Sequence, residues 1–182
     1  EPDLLISTVD ATSYYGNNVN GDSLHIRCNG ESNGSAIVNL GGGTDPYSFS
    51  WEDASGTVVS TNQNTDTILS AGDYTVDVID ANGCLGTETI TLKEPDLLVV
   101  NGTSTGDYSP FPGGFDISCK GLNDGECYAD PIGGVKWTGG IYKYDWDGPF
   151  TGQVSNDSLI TDLYVGTYSV IVTDANGCTD VQ

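Results

Sequence analysis

Hydrophobic and polar residues alternate in short runs along this chain, and each run ends at a cluster of turn residues. The clearest runs are YTVDVI at 74–79 and YSVIVT at 168–173. Alternation with a period of two is the pattern of a strand with one buried face, and no apolar stripe of helical spacing occurs. Short runs separated by Gly, Asn, Asp and Pro predict an all-β fold.

In the first half of the chain, the alternation predicts a series of short strands at the spacing of a β-sandwich. The predicted strands are 4–9, 23–27, 35–40, 47–52, 57–59, 65–69, 74–79 and 88–92. Turn signals separate them. Asn82-Gly83 predicts a type I′ hairpin turn, because this dipeptide favours positive φ at both central positions.

The same pattern is written twice. EPDLL stands at 1–5 and again at 94–98, and DANGC stands at 80–84 and again at 174–178. Recurrence at the spacing of a small domain predicts tandem copies of one fold. The second copy lacks most of the last strand, so we expect the chain to be a segment of a longer array.

The recurrence predicts two tandem immunoglobulin-like β-sandwich domains, residues 1–93 and residues 94–182. Each has Leu-x-x-Gly-x-Tyr before a long strand, which is typical of the tyrosine corner of such sandwiches, and Tyr74 and Tyr168 hold that position. The second copy carries extra residues near Gly133–Ile141, where we expect a loop.

The core of each domain follows from the same alignment. Trp51 and Trp146 end the expected third strand, which is the usual position of the core tryptophan. The side chains expected to face inward from the long strand are Tyr74, Val76 and Val78 in the first copy and Tyr168, Val170 and Val172 in the second.

Charge excludes some partners. The net charge is −21, from 26 acidic and 5 basic residues. Such a surface repels nucleic acid phosphates and anionic membranes. Nor is there a run of about 18 apolar residues that could span a bilayer. We therefore expect neither nucleic-acid binding nor membrane insertion.

Four of the five cysteines occupy equivalent places in the two copies. Their positions predict the disulfides Cys28–Cys84 and Cys119–Cys178, each stabilising its domain by about 4 kcal/mol. Disulfides indicate an exported protein. The alternative is that these four cysteines are reduced and buried. Cys127, the fifth, aligns with a small alanine and is expected in the core.

Calcium is the candidate cofactor, and no other cofactor is expected. Asp80 and Asp174 open the two DANGC turns, Asn82 and Asn176 follow two residues later, and Asp124 belongs to an acidic cluster. Ca²⁺ binds such oxygen ligands, although no stretch has the spacing of an EF-hand. The alternative is that Asp-x-Asn-Gly is an ordinary turn in which Asp accepts backbone hydrogen bonds.

An enzyme is not expected. His25, the only histidine, has no acid or nucleophile partner in the sequence pattern. A phosphate-binding glycine loop and the GxSxG motif are both missing from the sequence.

Several motifs together resemble one family. The first copy contains C-x-G-x-x-N-G-S-A, then G-G-x-x-x-P-Y-S-F-S-W, then L-S-A-G-D-Y-T-V-x-V-x-D-A-N-G-C, and an E-P junction. This order resembles the SprB repeat of giant cell-surface adhesins of gliding Bacteroidetes. The second copy departs from it at Trp137–Ile141 and at Cys127.

The resemblance implies a non-enzymatic segment of a long exported adhesin filament, with a role in surface adhesion and gliding motility. It implies an extracellular location at the outer membrane of a Gram-negative bacterium. The implied partners are neighbouring repeats, the type IX secretion and gliding machinery, and surface polysaccharide. Asp-Ser/Thr-aliphatic triplets look like the O-glycan acceptors of this phylum, and they mark Ser23, Thr67 and Ser158.

The alternative function is a carbohydrate-binding or spacer module of a secreted glycan-degrading enzyme. Exposed coplanar aromatic side chains would favour it, because sugars stack on aromatic rings. The candidates are Tyr14, Tyr15, Tyr108, Phe111, Trp137 and Tyr142.

Overall fold

The chain forms two compact units in a computed structural model, Glu1–Pro95 (unit 1) and Asp96–Gln182 (unit 2). The division falls just after the predicted boundary between residues 93 and 94. The structure describes residues 3–18, 20–66, 68–104, 117–149 and 157–182.

All regular structure in the described residues is β, as predicted. Unit 1 contains β1 (Ile6–Ala11), β2 (Ala36–Gly41), β3 (Ser48–Asp53), β4 (Val58–Ser60), β5 (Gly72–Ile79) and β6 (Leu85–Leu92). Unit 2 contains β7 (Val99–Ser104), β8 (Gly125–Ile132), β9 (Lys143–Asp147), β10 (Leu159–Leu163), β11 (Ser169–Thr173) and β12 (Thr179–Val181). Among the described residues, no helix has the length and apolar character needed to cross a membrane.

Two antiparallel sheets enclose the core of unit 1. One sheet has the order β4-β3-β5-β6, and the other is the pair β1-β2. Trp51 is fully buried between them, and Val76 and Val78 point inward from β5 beside Ala36 and Val38 from β2. Alternate residues of each strand therefore fill the space between the sheets, as expected of a sandwich.

Unit 2 repeats this plan with the sheets β10-β8-β7 and β12-β11-β9. Its core contains Trp146, Val170 and Val172, with Tyr168 packed against it at partial burial. The predicted core positions are thus confirmed in both units. The last strand has 8 residues in β6, and the 3 residues of β12 run up to the end of the sequence.

Both units have the predicted tyrosine corner. The Tyr74 hydroxyl donates to the Ser70 carbonyl at 3.0 Å, and the Tyr168 hydroxyl donates to the Tyr164 carbonyl at 2.9 Å. Each bond ties the start of the long strand to the loop that enters it, as in immunoglobulin-like sandwiches.

Two predicted strands of unit 1 are wrong. Residues 23–27 form no strand, because the backbone there bonds to non-adjacent segments: Leu24 N–H donates to Gly16 at 2.8 Å, and His25 N–H donates to Lys93 at 2.8 Å. Among the described residues of 65–69, the one bridge is that of Leu69 with Gly34. Both segments have apolar residues in the core, so alternation alone misidentified them as strands.

The predicted type I′ turn is also wrong. Gly83 has a φ of 83°, but Asn82 is not among the described residues with positive φ. Gly83 N–H donates to the Asp80 carbonyl at 2.9 Å, and Asp80 N–H donates to the Cys84 carbonyl at 3.1 Å. A three-residue hairpin loop that ends in one left-handed glycine explains the same Asn-Gly signal.

Candidate functional site

The DANGC turn of unit 1 is organised around one buried carboxylate. Asp80 is 4% exposed. Its Oδ1 accepts the backbone N–H of Asn82 and that of Cys84, both at 2.9 Å. Its Oδ2 accepts the backbone N–H of Thr44 at 3.0 Å. The carboxylate therefore ties the β5–β6 turn to the loop between β2 and β3.

The DANGC turn of unit 2 has the same geometry. Asp174 is fully buried, and its Oδ1 accepts the N–H of Asn176 at 2.9 Å and that of Cys178 at 2.8 Å. Its Oδ2 accepts the N–H of Val135 at 2.8 Å. The same bonds occur in both copies. We infer that the aspartate determines the conformation of the turn.

The electrostatics of the turn follow from these bonds. The backbone hydrogen bond from Cys84, the largest contribution, lowers the pKa of Asp80 because it stabilises the charged form. The negative carboxylate in turn raises the pKa of the Cys84 thiol. The backbone N–H groups of the turn thus stabilise the charged form of the Asp80 carboxylate.

These bonds define one end of each unit, which we call the entry pole. Asp3, where the described chain enters unit 1, accepts the N–H of Gly43 at 3.3 Å, beside the Asp80 turn. In unit 2 the corresponding bond joins Gly134 N–H to the Asp96 carbonyl at 2.9 Å. The chain therefore enters each unit next to its DANGC turn.

The chain leaves unit 1 at the opposite end, which we call the exit pole. There the Asn29 side-chain amide donates to the Pro95 carbonyl at 3.0 Å, and Gly30 N–H donates to Glu94 Oε2 at 2.7 Å. Lys93 N–H donates to His25 Nδ1 at 3.0 Å. Sequence analysis missed this clamp, although its residues belong to the C-N-G and E-P motifs.

Within unit 2, the predicted calcium ligands Asp124 and Asp174 lie at different ends of β8. Asp124 precedes β8 and binds the Ser118 N–H at 3.1 Å, whereas Asp174 binds Val135, which follows β8. Among the described residues, no group of three or more His, Cys, Asp or Glu is placed to hold a metal ion. Calcium binding stays a prediction, and the turn alternative accounts for both DANGC aspartates.

The predicted cysteine pairs are not formed. Cys84 and Cys119 are free and exposed, whereas Cys28 and Cys178 are disulfide-bonded. The alternative of four reduced, buried cysteines is wrong as well. Cys127 is half-buried beside the core of unit 2, on β8.

Geometry explains why Cys28 and Cys84 cannot pair within unit 1. The loop after Cys28 bonds to Glu94 and Pro95, beyond the end of β6, whereas Cys84 directly precedes β6. A strand of that length spans about 25 Å, whereas a disulfide requires Cα atoms closer than about 7 Å.

The same argument separates Cys119 from Cys178 in unit 2. Cys119 lies in the loop before β8, and Cys178 bonds to Asp174, whose other oxygen holds Val135 just after β8. In each unit, one of the two equivalent cysteines thus lies in the DANGC turn and the other lies near the opposite end. Sequence spacing showed the equivalence of the cysteines, but it could not show that they lie at opposite ends.

The described aromatic candidates differ in exposure within each unit. Tyr14 is 64% exposed, but Tyr142 is buried and donates to the Gly133 carbonyl at 2.6 Å. Trp137 is half-buried, with Lys143 Nζ 4.2 Å from its ring centroid. Tyr15 is half-buried, and Tyr108 and Phe111 lie outside the described residues.

The glycosylation candidates have different surroundings. Ser23 is exposed and forms an isolated bridge with Asn17. Ser158 is half-buried, and its carbonyl accepts the Ala129 N–H at 2.8 Å. Thr67 lies outside the described residues. Acceptor function at all three stays a prediction.

Comparison with known proteins supports the family resemblance. The SprB repeat family model matches residues 25–56, within unit 1. No curated protein matches the chain. Among solved structures, that of the amphioxus IgVJ-C2 molecule is similar at 18% identity and a TM-score of 0.30, covering 76% of this chain and 87% of that chain.

Proposed function

We propose that this chain is a non-enzymatic repeat segment of a long exported cell-surface adhesin, with a role in surface adhesion and gliding motility. The match of residues 25–56 to the SprB repeat carries the proposal. That family suggests a larger adhesin chain at the surface of a Bacteroidetes cell. The proposed partners are the neighbouring repeats, the type IX secretion and gliding machinery, and surface polysaccharide.

The positions of the two poles support a role as a length-adding module. The chain enters unit 1 beside the Asp80 turn and leaves it at the Asn29–Pro95 clamp, at opposite ends of β6. A module that receives and releases the chain at opposite ends adds its own length of about 25 Å or more to an array.

Cysteine chemistry and charge support an extracellular location. Disulfide-bonded Cys28 and Cys178 favour an oxidising compartment, because disulfides persist there and are rare in the cytosol. The net charge of −21 keeps the surface soluble and opposes association with anionic lipid.

Protease shaving of intact cells of the source bacterium tests the proposed location. A serum raised against the 182-residue chain should label unbroken cells, and external protease should remove that label. A periplasmic marker should survive the same treatment. Labelling that appears only after lysis would contradict the proposal.

Calcium is the proposed ion, and thermal unfolding tests it separately. A melting temperature that rises with Ca²⁺ concentration, and returns on chelation, would support bound ions. Mg²⁺ at equal ionic strength is the control for charge screening, which an acidic surface shows with any divalent salt. Equal responses to the two cations would mean screening alone.

A further inference from the structure

Asn-Gly pairs recur along this chain. They stand at residues 20–21, 29–30, 33–34, 82–83, 101–102 and 176–177. In such a pair the glycine nitrogen can attack the side-chain carbon of the asparagine, because glycine has no side chain to hinder the approach and its backbone adopts many conformations. The attack expels ammonia and leaves a succinimide ring, which water opens to aspartate or isoaspartate. The contacts around each pair decide which of them reacts.

The pair at 29–30 is held by the segment that leaves unit 1. The Asn29 side-chain amide donates to the Pro95 carbonyl at 3.0 Å, and Gly30 N–H donates to Glu94 Oε2 at 2.7 Å. These two bonds engage both reacting groups, the amide that would lose ammonia and the nitrogen that would attack it. Asn29 and Gly30 are nevertheless exposed to solvent. The clamp, rather than burial, therefore restrains this pair.

The pair at 20–21 is the contrasting case within the same unit. Asn20 is exposed, and its backbone N–H donates to Asn18 Oδ1 at 2.9 Å. Gly21 N–H donates to the Asn18 carbonyl at 3.0 Å, within the same turn. In the part of the chain that the structure describes, no hydrogen bond holds the Asn20 side-chain amide. The Asn20 side chain is thus free to reach the rotamers from which the ring closes.

Deamidation of Asn29 would change the chemistry of the clamp. The product carboxylate has no N–H group to donate to the Pro95 carbonyl. It would also place a negative charge beside the Glu94 carboxylate, which binds the adjacent Gly30, and like charges at such short range repel. The isoaspartate product would in addition lengthen the backbone by one carbon and displace the Gly30 N–H. Either product would prevent the clamp from forming again.

We propose that Asn29-Gly30 is a conditional deamidation site, which is protected while the clamp is formed and reacts when Glu94 and Pro95 leave the exit pole. The bond from Gly30 N to Asn29 Cγ forms, the bond from Cγ to Nδ2 breaks, and the glycine N–H proton leaves with the ammonia. Water, the only co-reactant, then adds across one C–N bond of the ring. The net change is one amide replaced by one carboxylate, which makes a transient opening of the clamp permanent. Unit 2 has Lys120 at the corresponding position, so this site belongs to unit 1.

Peptide mapping by mass spectrometry tests the site in the 182-residue protein, incubated in its folded state at mildly alkaline pH. We expect deamidation at Asn20 to be at least about tenfold faster than at Asn29, because Asn29 reacts only in the locally open state. In urea, above the unfolding transition, the two rates should converge. Equal rates at the two pairs in the folded protein would overturn the proposal.

Removing the acceptor of the Gly30 N–H tests whether the clamp causes the protection. Glu94→Ala should raise the deamidation rate at Asn29 toward the rate at Asn20. The matched control is Glu88→Ala, since Glu88 is a carboxylate on β6 that accepts from Ser7 and lies outside the clamp. A rate at Asn29 that Glu94→Ala leaves unchanged, or lowers, would show that the carboxylate does not protect the pair and would overturn the proposal.

The effect of the product on the clamp is measured with Asn29→Asp, which copies the aspartate form. Amide hydrogen exchange should become faster at Gly30 and at His25, whose N–H groups bind Glu94 and Lys93 in the clamp. Asn20→Asp adds the same charge to the same unit and should leave exchange at these amides unchanged. Unchanged exchange in Asn29→Asp, or equal acceleration in the two variants, would contradict the proposed permanent release of the exit pole.

Discussion

Unit 1 and unit 2 build the same core, but only in unit 1 does the sequence extend through the whole of the last strand, β6. Both have the tyrosine corner, the central tryptophan and the buried aspartate of the DANGC turn. Unit 1 adds the second half of β6, which ends in the buried Leu92 and continues into the Lys93–Pro95 clamp. The comparison separates what defines the sandwich from what closes its exit pole.

The difference teaches that the two poles have different sources of stability. The entry pole depends on one carboxylate and a turn, which are local in sequence and present in both units. The exit pole of unit 1 depends on contacts between residues far apart in sequence, such as Asn29 with Pro95. Such contacts form only when the last strand is in place.

The largest expected effect comes from removing the buried end of β6. Leu92→Ala should lower the free energy of unfolding of unit 1 by about 2–5 kcal/mol, through lost burial and a residual cavity. Urea unfolding followed by unit-specific hydrogen exchange measures the loss.

The matched control is Leu85→Ala at the other end of β6, since Leu85 is 61% exposed. It should change stability by no more than about 0.5 kcal/mol. Similar losses for the two variants would mean that β6 stabilises unit 1 through its backbone ladder and not through the Leu92 side chain.

The next effect concerns the entry pole of unit 2. Asp174→Asn should destabilise that unit by about 1–3 kcal/mol, because an amide keeps one acceptor oxygen and turns an N–H₂ group toward another backbone donor. Thermal unfolding measures the loss, and Asp145→Asn on the exposed face of β9 is the control. If calcium removal destabilises unit 2 of the unchanged protein but not that of Asp174→Asn, the carboxylate is an ion ligand rather than a turn acceptor.

A smaller and equal effect is expected at the two tyrosine corners. Tyr74→Phe and Tyr168→Phe each remove one hydroxyl-to-carbonyl bond, which costs about 1 kcal/mol. Chemical denaturation of both single variants measures it. A clear loss of stability in only one unit would contradict this expectation, and would mean that the corner bond stabilises that unit alone.

Local sequence patterns predicted the parts of the fold that local physics determines. Period-two alternation found β5 and β11, and the Leu-x-x-Gly-x-Tyr pattern found a corner whose bond spans four residues. The repeat alignment identified Trp51 and Trp146 as equivalent core residues. Each of these features depends on residues that are close in sequence or on the equivalence of the two repeats.

Features that depend on tertiary contacts were predicted less well. The segment 23–27 has the alternation of a strand, yet its His25 and Ile26 N–H groups both donate to the carbonyl of Lys93, which is far away in sequence. Equivalent cysteines suggested bridges within each domain, because sequence spacing carries no information about which pole a loop occupies. The sequence left the DANGC aspartates open between calcium ligands and turn acceptors, because it does not show which backbone N–H groups they bind.

The smallest expected effect is a pH dependence that belongs to unit 1 alone. Burial, and secondarily the charge of Lys93, lowers the pKa of His25 below its ordinary 6.5. The neutral ring accepts the Lys93 N–H, and protonation would remove that acceptor. Because the folded pKa lies below the unfolded one, the stability of unit 1 should be constant above about pH 6.5 and decrease as the pH falls from there through the folded pKa.

Unfolding of the two units between pH 7.5 and pH 5 separates this effect from general acid destabilisation. His25 is the only histidine in the chain, so unit 2 should show no change above the range where carboxylates titrate. His25→Gln should remove the dependence in unit 1 while lowering its stability slightly at pH 7.5. A slope that persists in His25→Gln, or that appears equally in unit 2, would mean that the exit-pole clamp does not depend on the neutral imidazole, and that Lys93 to Pro95 are held by the Asn29 and Gly30 contacts alone.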